Sequence, residues 1–460
     1  MSLEARAGMP TSKGWVFWHG DGMRLGLLSL GLGLLAACAG SGAVHEVARA
    51  APAAEIPAHQ AARSAPADPP DVGPEVTQPA PVVANTEIAQ PESPLIGIDT
   101  HIDTTQRLLD DHLDPFDGTP GGHVDVPRMR EGGLTGAFFS IYVSPQRFAG
   151  GDVSYQRALA LTMRVREIAA AHPDQAALCT TAEQVRQAAR EGKVAMLMGI
   201  EGGHALGTDD RTVALQRLRE LFDLGNRYMT ITWSTDNALG HSSNGEHPEL
   251  GLTPLGRAVV REMIRLGMIV DVSHVSDQTF WDVMDVTNKP VLASHSSSRA
   301  LADYPRNMTD AMIARVAQGG GAVCLNFFSQ FLDLDYRRAR RRLQFRHHAE
   351  FAAVHDEGVY WVDRGPAERE LALRLEPTLT PPTVETLVNH FEHVTEVGGP
   401  GAACMGSDFD GVPELPVGLR DVRDLGALRD ALTRRGLPMR AIFGENVLRV
   451  LQANEAAPAQ

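Results

Sequence analysis

Cysteine is scarce in this chain: four in 460 residues, Cys38, Cys179, Cys324 and Cys404, with no C-x-x-C pair. That spacing excludes a zinc-finger-type thiolate cage and suggests no disulfide framework. Positive charge is also in short supply, since 42 Lys and Arg against 57 Asp and Glu leave a net charge of −15. Nucleic-acid binding needs Lys and Arg clustered on one face, so this balance argues against it and in favour of a small substrate. Nor is there an apolar run of comfortable membrane-spanning length: the one after Met23 is too short. What remains is ordinary for a globular protein, 43% hydrophobic and 22% charged residues, enough to bury a sizeable core. The length exceeds the ~150 residues per domain used as a prior, but α/β barrels routinely do so. One large domain with extensions fits.

The extensions lie at the amino terminus. The stretch "MRLGLLSLGLGLLAACAGSG", from Met23, has a positive residue, a short apolar run and then small residues, the pattern of a secretory signal. Its end, "LLAAC", resembles the lipobox of bacterial lipoproteins, in which the cysteine becomes the lipidated first residue; here that is Cys38. Residues 39–94 are rich in Ala, Pro, Glu and Val without periodicity. Such a segment buries too little apolar surface to offset its ordering entropy and reads as a tether. The expected organisation is a signal peptide over 1–38, a tether over 39–94, a folded domain over 95–454 and a tail over 455–460. The protein is then exported and held at the cell envelope by a lipid anchor.

From residue 95 onward, short β-like runs alternate with helical patterns. The runs are "LIGIDTHID" (95–103), "GAFFSIYVS" (136–144), "VAMLMGIEGG" (194–203), "YMTITW" (228–233), "MIVDVSHVS" (268–276), "PVLASHSSS" (290–298), "GAVCLNFF" (321–328) and "AACMGSDFDG" (402–411). Continuous apolarity means that both faces are covered, as in a parallel sheet. Between them, "TPLGRAVVREMIRLG" and "TDAMIARVAQGG" have helical spacing with Gly at the carboxyl end. Eight β-α repeats predict a TIM-type (β/α)8 barrel. Residues 329–380 interrupt the repeat as a charged, lid-like helical insertion whose "RRARRR" reads as a solvated face. "MRAIFGENVLRVLQAN" reads as a closing amphipathic helix.

The polar residues within the runs share one position. His101, Asp103, Glu201, His274, His295 and Asp408 all fall at the carboxyl ends of their strands, the rim where barrels of this class build their sites. On a strand, residues two apart such as His101 and Asp103 point to one side. Any one of these histidines alone is as well explained as a satisfied core group. Six on one rim are better explained by metal binding. Imidazoles and carboxylates in this number can hold two divalent ions with one carboxylate between them, and the donor set suits zinc without excluding other divalent ions. Two such ions lower the pKa of a bridging water and polarise a carbonyl oxygen, which predicts hydrolysis.

The motifs "DTHID", "GIEGGHAL", "DVSHVS", "PVLASHSSSRAL", "RNMTD", "GSDFDG" and "GENVLRV", in this order over residues 95–452, resemble those of the membrane or renal dipeptidases, a branch of the metal-dependent amidohydrolases. The resemblance implies that His101 and Asp103 bind one zinc, His274 and His295 the other, and that Glu201 bridges them. It implies further that Asp408 handles protons and the substrate amine, and that Arg306 grips the carboxylate of a small peptide. A homodimer is the family expectation. An Arg fork is well matched to a terminal carboxylate. Of the two acids in "SDFDG", strand alternation puts Asp408 and Asp410 on one face, and only the family match selects Asp408.

One residue departs from the family. Its relatives carry "TLTH" at the fourth strand, whose His contacts the scissile carbonyl, whereas this chain has "TITW" with Trp233 there. Trp233 either offers an indole N–H to substrate or fills an apolar pocket, and packing is the expected role. His241 in the following loop is the other donor in reach, and reads as an exposed loop histidine. The leading expectation is a zinc dipeptidase working through a metal-bridging hydroxide. The alternatives are an amidohydrolase acting on N-acyl amino acids or cyclic amides, and a non-catalytic metal-containing binding lipoprotein.

Overall fold

The computed structural model describes residues 95–355 and 361–455, without the side chains of residues 355 and 361–364. The expected signal peptide, Cys38, the tether and residues 456–460 lie outside the described residues. Among the described residues nine strands form, in chain order: β1 Ile98–Ile102, β2 Gly136–Tyr142, β3 Ala176–Leu178, β4 Val194–Glu201, β5 Asn226–Thr230, β6 Ile269–Asp271, β7 Leu292–Ala293, β8 Ala322–Leu325 and β9 Ala403–Met405. All pairings between them are parallel, and eight follow one another as β1-β2-β4-β5-β6-β7-β8-β9. A parallel bridge from Ile102 to Phe409, just past β9, brings the last strand round to the first. This is the expected TIM-type barrel. The short β3, which pairs only with β4, was not legible in the apolar runs.

Each strand is shorter than its run, because the carboxyl end of the run leaves the ladder and becomes rim. Alternation divides what is left between two apolar clusters. Ala137, Phe139 and Ile141 of β2 join the larger cluster with the surrounding helices, while Phe138 joins a second with Leu197, Tyr228, Ile269, Leu292, Cys324 and Cys404. Val447, Leu448 and Leu451 of the last helix, Asn446–Asn454, complete this second cluster. Tyr228 shows that it fills the barrel: from β5 its hydroxyl donates to Thr100 O at 3.0 Å on β1, a strand that is not its neighbour. Its ring occupies the space where a Cβ on residue 199 would stand, so β4 needs Gly199 there.

The connecting helices carry their own boundaries. Pro254–Leu266 begins with Thr253 accepting from Gly256 N, has Pro254 at its first position, and ends at Gly267 with φ +83°. Cap, proline and left-handed glycine each satisfy or spare an end group. Asp310–Gln318 is likewise capped by Thr309.

Three details differ from the expectation. Cys324 and Cys404 face each other in the register of β8 and β9 and form a disulfide, with Cα atoms 4.1 Å apart. They are 80 residues apart, and only the closing order of the barrel makes them neighbours. The basic run is not a uniformly solvated face: in the helix Leu334–Arg346, Arg337 and Arg340 are buried. Arg340 lies between Glu368 and Glu414 at 3.6 and 3.7 Å, since a buried guanidinium requires anionic partners. Finally Glu455, assigned to the tail, accepts a hydrogen bond from Ala182 N at 2.7 Å.

Candidate metal centre

Glu201 ends β4 and presents its two oxygens to different partners. Oε2 lies 3.5 Å from His101 Nε2, beyond which Asp103 Oδ2 stands 3.8 Å from the same nitrogen. Oε1 lies 3.0 Å from His274 Nε2 and 3.5 Å from His295 Nε2. Two sets of donor atoms thus share one carboxylate. His101, Asp103 and Asp408 also bring ligand atoms within 4.8 Å of one another.

Each imidazole is held by its other nitrogen. His101 Nδ1 meets the Tyr228 hydroxyl at 2.8 Å. That hydroxyl spends its own proton on Thr100 O, so Nδ1 must carry the ring proton and Nε2 is left as a lone pair. His295 Nδ1 meets Ser294 Oγ at 2.8 Å, and Ser294 Oγ donates to Asp271 Oδ2 at 2.6 Å; the same reasoning bares Nε2. His274 Nδ1 faces Ser234 Oγ at 3.2 Å. The Nε2 atoms of His274 and His295 stand 2.8 Å apart, and His101 Nε2 and Asp103 Oδ1 are buried without a hydrogen-bond partner among the described residues. A cation seated among these nitrogens and acceptors would satisfy all of them at once. The residues fit a metal site, with outer hydrogen bonds of the kind that orient ligands.

Burial pushes the Glu201 carboxyl up to about 7 and that of Asp408 up to about 6, with the Asp103 charge adding to both. Burial also holds His274 and His295 well below the usual imidazole range, helped by the nearby Arg306 charge. Neutral imidazoles are the ligand form. The backbone is bent to serve the site as well: His274 and Asp408 have φ of +66° and +64°, a region that costs a non-glycine residue about 1–3 kcal/mol. Gly411 follows because a Cβ there would collide with the carboxylates of Asp103 and Asp408, which shows how closely those two acids approach one point.

The two acids of "SDFDG" occupy different surroundings. Asp410 is fully committed, accepting from Thr104 Oγ1 and His123 N at 2.5 Å each. Among the described residues, Asp408 accepts from Asn326 Nδ2 alone, at 2.8 Å on Oδ2, and Asn326 is oriented by Phe328 N donating to its Oδ1. Arg306 is buried at the same rim and donates to Ser296 Oγ and His295 O, both at 3.1 Å. Trp233 is half-buried between Tyr142, 5.1 Å between ring centroids, and His274, at 6.3 Å. His241 is half-buried rather than exposed, and its Nδ1 is 2.7 Å from Gly251 O. Sequence reasoning passed over Tyr228, Asp271, Ser294 and Asn326. Their signal is a polar side chain inside an apolar strand run, where burial demands a partner.

A parallel barrel whose carboxyl rim gathers imidazoles around a shared carboxylate defines the class: a metal-dependent hydrolase. Residues 87–460 match the family described as membrane dipeptidase, peptidase family M19, and the chain belongs to that family. An uncharacterised dipeptidase of Schizosaccharomyces pombe is 30% identical over 349 residues, 73% of this chain and 74% of the relative. Among solved structures, a metallopeptidase described as dipeptidase AC is 29% identical, with a TM-score of 0.64 over 79% of this chain and all of that one. A Rhodobacter sphaeroides metallopeptidase, solved with a phosphinate mimic of the dipeptide L-Ala-D-Ala, is 28% identical with a TM-score of 0.63, covering 78% of this chain and 99% of that one. The chain is a metallo-dipeptidase.

Proposed function

We propose that the protein uses two zinc ions to hydrolyse small dipeptides with a free carboxylate. His101 and Asp103 would hold one ion, His274 and His295 the other, and Glu201 both. The observation that carries this reading is the division of Glu201, one oxygen toward His101 and the other toward His274 and His295. Bound there, the ions supply an activated water and polarise the scissile carbonyl. Arg306 receives the substrate carboxylate, because its fork is buried at the rim with Nε unused. Asp408 takes the proton of the attacking water at Oδ1 and hands it to the departing amine, its Oδ2 being tied to Asn326. The phosphinate dipeptide held by the Rhodobacter sphaeroides relative supports a substrate of this size. The test is metal content measured beside turnover of a dipeptide panel: two zinc per chain with dipeptide hydrolysis is expected, and a metal-replete protein inactive on every dipeptide overturns the proposal.

Trp233 favours a second reading. An indole beside His274, where relatives place an imidazole, suits N-acyl amino acids or cyclic amides, and a wild type faster on those than on dipeptides selects it. The chain is also proposed to be exported and lipid-anchored through Cys38. The Cys324–Cys404 disulfide supports export, since such bonds persist in oxidising compartments. Cys38→Ser should leave the exported protein soluble, and membrane retention of that variant counts against the anchor.

A further inference from the structure

Arg306 is gripped on one side only. Among the described residues its hydrogen bonds go to Ser296 Oγ and His295 O, none to a carboxylate, and its Nε is buried without an acceptor. The aromatic ring beside it comes from the insertion. The Arg306 guanidinium stands 5.5 Å from the ring centroid of Phe331. Phe331 stacks on Tyr304, with centroids 5.3 Å apart and planes 27° apart, and the guanidinium of Arg337 lies 3.6 Å from the Tyr304 centroid. The series runs cation, ring, ring, cation across two segments distant in sequence. Both ring residues are fastened: Tyr304 Oη donates to Asn244 Oδ1 at 3.0 Å, and Asn307 Nδ2 donates to Phe331 O at 2.8 Å.

We infer that Phe331, Tyr304 and Arg337 are positioning residues for Arg306, so that the insertion after β8 sets affinity for the substrate's carboxylate end and leaves bond cleavage alone. This rests on the dipeptidase reading above. A ring face attracts a guanidinium without consuming any of its N–H donors. Holding Arg306 through the face of a ring therefore steadies the guanidinium while leaving Nε free for a carboxylate, which a protein carboxylate in the same place would not do. Arg337 gives the outer ring a cation of its own, so the outer half of the series is held in the same way as the inner half.

The test compares a dipeptide with its C-terminal amide. Phe331→Leu should raise KM for the free dipeptide about 5- to 10-fold, the scale of a partly desolvated cation–ring contact, with kcat within about twofold. KM for the amide, which offers Arg306 no carboxylate, should stay at its wild-type value. Phe331→Tyr retains the ring face and should restore the wild-type KM. Arg337→Gln acts through Tyr304 and should shift KM about 2- to 3-fold in the same direction, whereas Arg338→Gln, on the exposed side of that helix, should shift nothing. Equal changes for acid and amide, a loss confined to kcat, or an unaltered KM in Phe331→Leu overturns the inference. Should Phe331→Leu not fold, Arg337→Gln with an unchanged acid-to-amide KM ratio overturns it. Equilibrium binding of a phosphinate dipeptide mimic and its amide separates the two readings. A wild type that prefers the acid but hydrolyses no dipeptide overturns only the dipeptidase reading. A wild type without that preference overturns the inference.

Discussion

Leu197 and Glu201 stand four residues apart on β4, both buried, yet they belong to two different regions. Around Leu197 the barrel interior is apolar, filled by Phe138, Ile269 and Leu292 and joined by the last helix. Around Glu201 the same strands deliver imidazoles, carboxylates, orphaned acceptors and two residues with positive φ. Continuous packing at one end offsets strain and desolvation at the other. In barrels this division is general: the carboxyl rim carries chemistry and the amino end carries stability. Changes at the two ends should therefore fall into separate measurements, and any that cross over break the comparison.

The largest effect should come from Glu201→Gln. An amide is a poor bridge for two cations, and the charge stabilisation they supply amounts to several kcal/mol, so turnover should fall by about 10³-fold or more with weakened metal retention. Normal kcat with two bound ions removes Glu201 from the centre of the scheme. Next in size is the pH response of the metal-free protein. Folding raises Glu201 from an ordinary 4.5 to about 7 and Asp408 from 3.8 to about 6. A raised carboxyl stabilises the fold below its unfolded value and loses that contribution as pH rises through its folded value. His274 and His295, held below their unfolded values, contribute with the opposite sign over the same range, so the carboxyl is read by difference: chelated Asp408→Asn should gain on the chelated wild type by on the order of 3 kcal/mol between about pH 4 and 6, and the gain should vanish once zinc is restored. A difference between the two proteins that stays flat across that window contradicts the burial of the Asp408 charge.

Asp408→Asn should lower kcat by about 10²-fold, the usual scale for a positioned proton carrier, while retaining the fold and at least one ion. Asp410→Asn should instead lower stability, since Asp410 accepts from Thr104 and His123, and should leave kcat within a few-fold. Inactive Asp410→Asn beside active Asp408→Asn would reverse the two roles.

Much of the rim was legible because two regularities coincide in it. Apolar runs mark covered strands, and ligand-type residues at their carboxyl ends, His101 and Glu201 among them, have few other reasons to be there. What escaped reading depends on contacts across the barrel. Tyr228 looks like an ordinary strand aromatic until β1 is placed opposite it. Ser294 and Asp271 matter only because one orients the other against His295. The disulfide requires β8 beside β9, and the burial of Arg340 requires Glu414 from a loop more than seventy residues later in sequence. Periodicity reports which residues are inside, and it carries no information on which of them meet.

The smallest effect tests the apolar end alone. Ile269 on β6 is 1% exposed and packs in the interior cluster with Leu197 and Leu292. Two residues further on, Asp271 anchors Ser294 and through it His295. Ile269→Val removes one methylene and leaves a small cavity, which should cost about 0.5–1.5 kcal/mol of stability. If the two ends are independent, the melting temperature drops while kcat, KM and metal content stay at wild-type values. If instead the cavity is transmitted along β6, Asp271 shifts, His295 loses its fixed tautomer, and metal affinity weakens by the 10- to 100-fold typical of damaged outer contacts. Metal titration of Ile269→Val at a temperature where it is fully folded decides between these outcomes, and a tenfold weaker metal would mean that the strand interior tunes the rim.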